Sequence, residues 1–461
     1  MSAQEAKELF ASVDEIMEFA SKSSGLPIKN KVKKKLASRE SVEKYLSQRM
    51  DDDEDQKRFD RSALVLKKFG LIPRDFQLRP FMIKLLKEQV AGFYDPKKNT
   101  VNLLDWIAPS EQRPVMAHEL THALQDQAIG LDAWSKTIKA AIHKKMDDEN
   151  ADAEIDEELS AQTAVLEGQG MAVMADYLLA PSGQSIKNSP QIVDAMRYGM
   201  SADESSPMLK SAPLILKEAL IFPYRDGLGF VGALLQDGGV HRAFAQALAD
   251  PPKSTREVLT PKAYLEKEVL PPMRLPNLKP MLGKDYERYD TGSIGQFDVM
   301  VLLKQFTHDR TPETIPPEWR GGVYYSAVRK GKKAGELKTA DLELVFISRW
   351  SSVAAAKKFA FIYASSVGKR YTSVQPGMES TFETEEGPVS VEVVGDAVIV
   401  FEGLNEAAAT TAHKLVMESL NGVPNGIEVH AGDLGMRVMA PVYAVWLRQC
   451  FAHTSTHDPK D

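Results

Sequence analysis

Cysteine is almost missing from this sequence, and its absence limits the chemistry that the protein can use. Cys450 is the only cysteine among 461 residues, so no disulfide can form within one chain. A zinc site built from cysteine thiolates is excluded for the same reason. Any metal site must therefore use histidine and carboxylate ligands.

Long apolar runs and a basic charge excess are missing too. No apolar stretch approaches the roughly 20 residues of a membrane-spanning helix, so we expect no membrane span. The first residues, Met1 to Glu5, lead into a charged helical pattern and show no signal peptide. The net charge is −7, with acidic and basic residues interspersed, which argues against nucleic acid as the main partner. These data leave the oligomeric state open.

The most informative pattern runs from His118 to His122 and reads His-Glu-Leu-Thr-His within an apolar helical segment. Residues four apart lie on one face of an α-helix, so both imidazoles can reach one metal ion. Glu119 is offset from that pair and can take a proton from a zinc-bound water. Ser110 is the predicted N-cap residue at the start of this helix, and Gly130 marks its predicted end. The alternative is a surface helix with two solvated histidines, but so apolar a helix would bury them without partners.

A tetrahedral zinc site needs a third protein ligand, and Glu167 is the best candidate. It is the only charged residue in the small and apolar helical run from Ala161 to Ala175. A buried carboxylate is costly unless it is paired or bound to a metal, so a structural ion pair is the alternative role. Gly168 and Gly170 would let another helix approach closely. Seven nearby acidic residues are interpreted as a solvated helix face: Asp147, Asp148, Glu149, Asp152, Asp156, Glu157 and Glu158.

These motifs resemble those of zinc metallopeptidases. The segment from His118 to Ala123, with Asp126 after it, is similar to the active-site helix of thermolysin-like gluzincins, whose third ligand is a Glu on a later helix. A closer resemblance is to a group of little-characterised bacterial metallopeptidase-like proteins. The shared motifs are Gly92-Phe93-Tyr94-Asp95-Pro96, His118 to Gln127, and Glu167-Gly168, with later landmarks at Phe222-Pro223-Tyr224 and from Pro251 to Thr255. The resemblance covers roughly residues 60 to 265.

The resemblance implies a function and a set of roles. Zn²⁺ would be held by His118, His122 and Glu167, and Glu119 would be the general base in the hydrolysis of a peptide or protein substrate. Asp126, one turn after His122, is on sequence alone equally compatible with a helix-surface Asp, but the resemblance implies that it accepts a hydrogen bond from the outer ring nitrogen of a zinc-bound histidine. Proteins of this group are usually exported, so an extracytoplasmic location is expected, while the lack of cysteine pairs also fits the cytosol.

Two departures from the group leave alternative functions open. Gln169 stands where the group has Asp, and Thr260 stands where it has His before Pro261. They put catalytic efficiency in doubt more than zinc binding. The alternatives are a zinc-binding protein without peptidase activity and a zinc hydrolase of a non-peptide substrate. Four residues are candidate donors to the transition state and are not ranked by the sequence: Tyr177, Tyr224, His241 and Tyr264.

The pattern along the chain predicts an α+β fold in three parts. Residues 1–70 form a helical segment, in which the basic run from Lys31 to Lys35 is interpreted as a solvated helix face. Residues 71–280 form a mainly helical domain with a small hairpin, which the resemblance implies is a zincin-like metallopeptidase domain. Residues 285–461 form a smaller α+β domain, after a linker marked by prolines between Pro271 and Pro280.

Local patterns predict particular strands and helices. In the hairpin, strands at 90–94 and 100–104 flank the turn from Asp95 to Asn99, and either pair with an extended substrate or serve as scaffold. In the last domain we expect strands and helices at 342–347, 351–364, 389–394, 397–401 and 405–420.

Overall fold

The structure, a computed structural model, describes residues 2–40, 53–88, 93–131, 151–202, 207–270, 273–307, 311–377, 380–422 and 427–429. Its helices are α1 (Ala3–Ser24), α2 (Asp53–Lys68), α3 (Leu78–Glu88), α4 (Pro109–Ile129), α5 (Ala151–Leu179), α6 (Pro190–Ala202), α7 (Pro207–Ser211), α8 (Leu214–His241), α9 (Ala247–Ala249), α10 (Thr255–Leu259), α11 (Pro261–Leu265), α12 (Gln296–Phe306), α13 (Thr311–Thr314), α14 (Val353–Arg370) and α15 (Glu406–Leu420). A single π-helical turn (Arg242–Gln246), here called the π-turn, follows α8.

The strands form three sheets within the described ranges. They are β1 (Lys33–Ala37), β2 (Phe93–Asp95), β3 (Thr100–Leu104), β4 (Met273–Leu275), β5 (Tyr286–Ser293), β6 (Trp319–Arg329), β7 (Leu342–Trp350), β8 (Val374–Pro376), β9 (Thr381–Thr384), β10 (Gly387–Val394), β11 (Ala397–Glu402) and β12 (Ile427–Val429). The large sheet has the order β5-β6-β7-β11-β10-β9-β8 and is antiparallel throughout. In the small sheet, β3 pairs in parallel with β1 and antiparallel with β2. The fold class is α+β.

The last part of the chain has the elements that its sequence pattern predicts. The strand expected at 342–347 is β7, the expected helix is α14, and the expected hairpin is β10 and β11. Asn405 caps α15 by accepting a hydrogen bond from the backbone N–H of Ala408. Trp350 at the end of β7 stacks on Phe359 of α14, with 4.6 Å between ring centroids. The helix cap and the alternating apolar residues agree with this packing, so these strands and helices could be predicted from the sequence.

The basic run near the start is a strand, so its interpretation as a helix face was wrong. Lys33 to Ala37 form β1, an edge strand that pairs with the buried β3. Lys33 and Lys35 are exposed, while Lys34 reaches back to Asp14 of α1 at 3.1 Å. Lysines are common on edge strands because their charge discourages pairing with other chains. A non-local pairing partner therefore decided the structure of this segment.

The proline-rich segment from Pro271 to Pro280 is packed where the structure describes it, and is not a free linker. Met273 to Leu275 form β4, which pairs with β12. Leu278 is fully buried in the cluster beneath the large sheet. The first strand of the large sheet, β5, begins soon afterwards. The domain boundaries at 1–70, 71–280 and 285–461 stay a prediction.

Helices cover the large sheet on both faces. One hydrophobic cluster joins α1, α4, α5 and α8 to one face of the sheet, with Leu120, Phe230 and Phe346 among its members. A second cluster lies on the other face and includes Ile347 and Val416 of α15. Helix α4 is buried over most of its length, and from Val115 to Gln125 it exposes no side to solvent. None of the described helices is long and apolar enough to cross a membrane.

Helices α5 and α8 cross at two glycines. A Cβ added to Gly168 would lie 2.3 Å from the carbonyl carbon and oxygen of Gly227, and one added to Gly227 would lie 2.1 Å from the Ala164 oxygen. No other residue type fits both positions without moving a helix. Because Glu167 precedes Gly168, this crossing also sets the depth at which Glu167 lies.

The glycine crossing gives a stability prediction. Gly168→Ala should lower the free energy of unfolding by about 2–3 kcal/mol, because overpacking against rigid backbone is not relieved by rotamer changes. The matched control is Gly199→Ala, since Gly199 is exposed in α6 and its added Cβ would meet nothing within 4 Å. Chemical denaturation should show the control unchanged or up to about 1 kcal/mol more stable. Equal stability of the two variants would contradict the close approach.

Candidate metal centre

The three predicted ligand atoms converge in the interior of the fold. Nε2 of His118 lies 3.0 Å from Nε2 of His122 and 3.0 Å from Oε2 of Glu167, and His122 Nε2 lies 3.6 Å from the same oxygen. A tetrahedral zinc ion with bonds of about 2.0–2.1 Å separates its ligand atoms by about 3.3 Å. The three atoms are spaced like one face of such a tetrahedron and form a group that could hold a metal ion.

Helix α4 holds both histidines on consecutive turns. Pro109 occupies its first helical position and Ala108 is the N-cap residue, so the predicted start at Ser110 was two residues late. Gly130 ends the helix in the left-handed conformation, with φ of 70°, as the sequence predicted. Ending the helix there lets the chain leave α4 and return as α5.

Glycine also brings α5 against the first histidine. A Cβ added to Gly170 would lie 2.7 Å from Nδ1 and Cε1 of His118. The imidazole ring therefore lies directly against the backbone of α5, one turn from Glu167. A side chain at this position would push the ring away from the other two ligand atoms.

The Glu119 carboxylate lies beside the ligands and is held by β2. Its Oε2 accepts a hydrogen bond of 2.9 Å from the backbone N–H of Tyr94. Its Oε1 is buried and has no hydrogen-bond partner among the described residues. The predicted strand at 90–94 is described only from Phe93 onward, where β2 is an edge strand whose residues are all buried. The hairpin of β2 and β3 therefore positions Glu119 through the backbone N–H of Tyr94.

The donor set fits a divalent transition metal. Imidazole nitrogen and carboxylate oxygen are the ligands zinc uses in sites that lack cysteine. Four residues of the centre are each at most 2% exposed, so their polar atoms depend on partners inside the protein: His118, Glu119, His122 and Glu167. Oε1 of Glu167 has no such partner in the described part of the chain. A metal ion held by these residues would compensate the buried carboxylate.

The electrostatic environment favours a cation between the histidines. Burial lowers the pKa of His122, but the charge and hydrogen bond of Glu167, together with the charge of Glu119 and the hydrogen bond of Gln125, outweigh it and raise the pKa to about 9. Burial acts to raise the pKa of Glu167, yet the charges and hydrogen bonds of His122 and His118 together lower it overall. Burial lowers the pKa of His118 and raises the pKa of Glu119 to about 8. A site that stabilises a proton on His122 would also stabilise a metal cation there.

The residue that orients His122 is Gln125, not the predicted Asp126. Nδ1 of His122 lies 2.7 Å from Oε1 of Gln125. The Asp126 carboxylate accepts hydrogen bonds from the Tyr94 hydroxyl at 2.7 Å and from the backbone N–H of Leu131 at 2.7 Å. Asp126 therefore ties α4 to β2, the strand that holds Glu119. Sequence alone placed Asp126 one turn after His122 but could not show which way the ring nitrogen points.

One of the four candidate donors lies beside the metal centre. The ring of Tyr224 in α8 stacks on His118, with centroids 6.2 Å apart and an interplanar angle of 28°. Tyr177 packs on Phe19 of α1, near the far end of α5. His241 is exposed at the end of α8. The Tyr264 hydroxyl donates to the Asp250 carbonyl, and Tyr264 lines a cavity of about 620 Å³ whose lining includes none of the three candidate ligands.

Gln169 and Thr260, the two residues that differ from the motifs described above, have different surroundings. Gln169 is fully buried and accepts a 2.9 Å hydrogen bond from Gln125, so it belongs to the metal centre's supporting contacts. Thr260 lies between α10 and α11, where its hydroxyl accepts a hydrogen bond from the side chain of Gln296. Gln296 in turn accepts a hydrogen bond from Arg256. Thr260 is therefore engaged in the packing of α10 against α12.

One of the seven acidic residues predicted to lie on a solvated helix face is buried. Glu157 is fully buried and accepts hydrogen bonds from the backbone N–H and the hydroxyl of Thr255, at 2.5 and 2.9 Å. It anchors the start of α10 and does not belong to the solvated face. Glu158 is exposed as predicted. Asp147, Asp148 and Glu149 lie outside the described residues, and the side chains of Asp152 and Asp156 are not described.

Comparisons of this chain with protein-family models, with curated proteins and with solved structures gave no match. The interpretation of the centre therefore depends on its own geometry.

The geometry predicts the effect of removing the third ligand. Glu167→Gln keeps the shape of the side chain but removes its charge, so zinc affinity should fall by more than about a hundredfold, beyond the 10–100-fold that loss of an outer partner costs. Glu158→Gln is the control, because Glu158 is exposed on the same helix. Competition with a coloured chelator measures both affinities. Equal affinities would remove Glu167 from the ligand set.

Proposed function

We propose that the protein is a zinc-dependent metallopeptidase of the gluzincin type. His118, His122 and Glu167 are the zinc ligands, Glu119 is the general base, and the helices around them form a zincin-like domain. The observation that carries this proposal is the convergence of three ligand atoms at tetrahedral spacing beside a buried carboxylate. The ligands come from two consecutive turns of α4 and from the middle of α5, an order that the resemblance to gluzincins also implies.

The chemistry divides between the metal and the chain. Zinc, when bound, would lower the pKa of water and polarise a peptide carbonyl. Glu119 would accept the proton of the attacking water and pass it to the departing amine. The Tyr94 N–H holds Oε2 of Glu119, which leaves Oε1 for proton transfer. The stacking of Tyr224 on His118 supports Tyr224 over the other three candidates as a group that stabilises developing charge.

A second function is favoured by the burial of the centre. Each ligand and Glu119 is at most 2% exposed, whereas a peptide chain must reach Glu119 to be cut. A zinc site that stabilises the crossing of α4 and α5, without hydrolysis, would need no such access. Structural zinc sites contribute to folding directly, so this protein would bind zinc and unfold more readily without it.

Replacement of the general base separates the two functions. Glu119→Gln should retain zinc and lose at least about a thousandfold in the rate of peptide cleavage, because an amide cannot accept the proton that contributes roughly 10²–10⁴ to the rate. Glu111→Gln is the matched control, since Glu111 is exposed in the first turn of the same helix. Cleavage of a mixed peptide library, with zinc content measured on the same samples, gives both readings.

Three outcomes are informative. Cleavage by the parent and by Glu111→Gln, with none by Glu119→Gln at equal zinc content, supports the peptidase. Near-native cleavage by Glu119→Gln would show that Glu119 is not the base. Full zinc content with no cleavage by the parent, together with marked destabilisation on chelation, would favour the structural site.

A further inference from the structure

We infer that Gln125 and Gln169 are positioning residues that fix which nitrogen of His122 faces the metal. This inference rests on the metal-binding part of the proposed function. Oε1 of Gln125 lies 2.7 Å from His122 Nδ1, and Nε2 of Gln125 donates to Oε1 of Gln169 at 2.9 Å. Nε2 of Gln169 then reaches the Ala243 and Phe244 carbonyl oxygens at 2.8 and 3.1 Å. We call this chain of contacts the glutamine relay.

The direction of the glutamine relay is set at its far end. A backbone carbonyl oxygen only accepts hydrogen bonds, so the Gln169 group that faces Ala243 and Phe244 must be its NH₂. The Gln169 oxygen therefore faces Gln125 and receives a hydrogen bond from the NH₂ of that residue. A second carbonyl, that of Leu166 at 3.0 Å, also faces the Gln125 NH₂ and confirms its orientation. Neither amide can turn over without placing two acceptors against each other.

The protonation of His122 follows from this orientation. Since Gln125 presents only an oxygen to Nδ1, that nitrogen must carry a hydrogen. The lone pair of the metal-bound imidazole is then on Nε2, the atom 3.0 Å from His118 Nε2. The Leu166 carbonyl and the carbonyls of the π-turn therefore select the ring nitrogen that faces the metal, through two fully buried amides.

The π-turn explains why these carbonyls face Gln169. A π-turn interrupts the regular i→i−4 hydrogen-bond ladder of an α-helix, and such turns are frequent at functional sites. Gly238 and Gly239, near the end of α8, have non-helical backbone angles and kink that helix just before the π-turn. Gln169 therefore links α5 to the end of α8, and its amide supplies donors that an Asp at this position would lack.

Variants at Gln125 separate positioning from packing. Gln125→Leu removes the acceptor for His122 and should weaken zinc binding by about 10–100-fold. Gln125→Glu restores an acceptor and should bind zinc nearly as tightly as the parent. The same variant should lose thermal stability, because its carboxylate faces the oxygens of Leu166 and Gln169. A purely structural role would make affinity and stability fall together in both variants.

A control variant in α5 and nitrogen-15 spectra of His122 complete the test. Gln162→Leu replaces another buried glutamine of α5, whose NH₂ binds Glu158 and not the metal centre, and should leave zinc affinity unchanged. Nitrogen-15 spectra of histidine-labelled, zinc-loaded protein should show an exchange-protected Nδ1–H for His122 in the parent and in Gln162→Leu. In Gln169→Leu this proton should shift and exchange faster, since the Leu166 carbonyl alone then holds the amide of Gln125.

The inference is overturned if Gln125→Leu binds zinc as tightly as Gln162→Leu, or if Gln125→Glu binds as weakly as Gln125→Leu. It is also overturned if the parent binds no zinc, or if its zinc-loaded spectrum shows no protected Nδ1–H for His122. A protein that shows the expected affinities and spectra but cleaves no peptide would refute the proposed hydrolysis and leave the glutamine relay standing.

Discussion

The burial of a carboxylate between two imidazoles is the constraint on which the rest of this structure depends. Glu167, His118 and His122 are each at most 2% exposed, and an isolated charge at such depth would cost several kcal/mol or more. The charges of Glu167 and His122 stabilise each other in the metal-free protein. A divalent cation at the same place would stabilise the Glu167 carboxylate more strongly. The surrounding helices therefore have to hold three polar groups together at depth.

Two features of the packing of α4, α5 and α8 hold these polar groups together. Glycines let the helices approach closely, and two side-chain amides bind each other. Gly168 and Gly227 allow α5 and α8 to touch at backbone distance, and Gly170 allows the ring of His118 to lie on α5. Gln125 and Gln169 then satisfy the remaining polar atoms around His122 without adding charge. Neutral partners suit a buried site that already contains two carboxylates, because a third would raise the cost of burial.

Sequence patterns could predict which three side chains converge and much of the C-terminal part, because both depend on local periodicity. The two histidines follow from helical spacing, and Glu167 follows from being the single charge in an apolar run. The role of Gln125 could not be predicted, since the direction of the His122 ring depends on α5 and on the π-turn. The strand at Lys33–Ala37 was missed for a similar reason, as its partner β3 lies far along the chain. The polar contacts of Asp126 and Glu157 likewise depend on elements distant in sequence.

Anomalous diffraction at the zinc absorption edge, from crystals of the zinc-loaded protein, tests the central claim most directly. The account predicts one strong peak bonded to Nε2 of His118, Nε2 of His122 and a carboxylate oxygen of Glu167, at about 2.0–2.2 Å from each. Glu119 should lie beside the peak without being a ligand, and Nδ1 of His122 should face Gln125. A peak held by other residues, or crystals of loaded protein without a peak between α4 and α5, would contradict it.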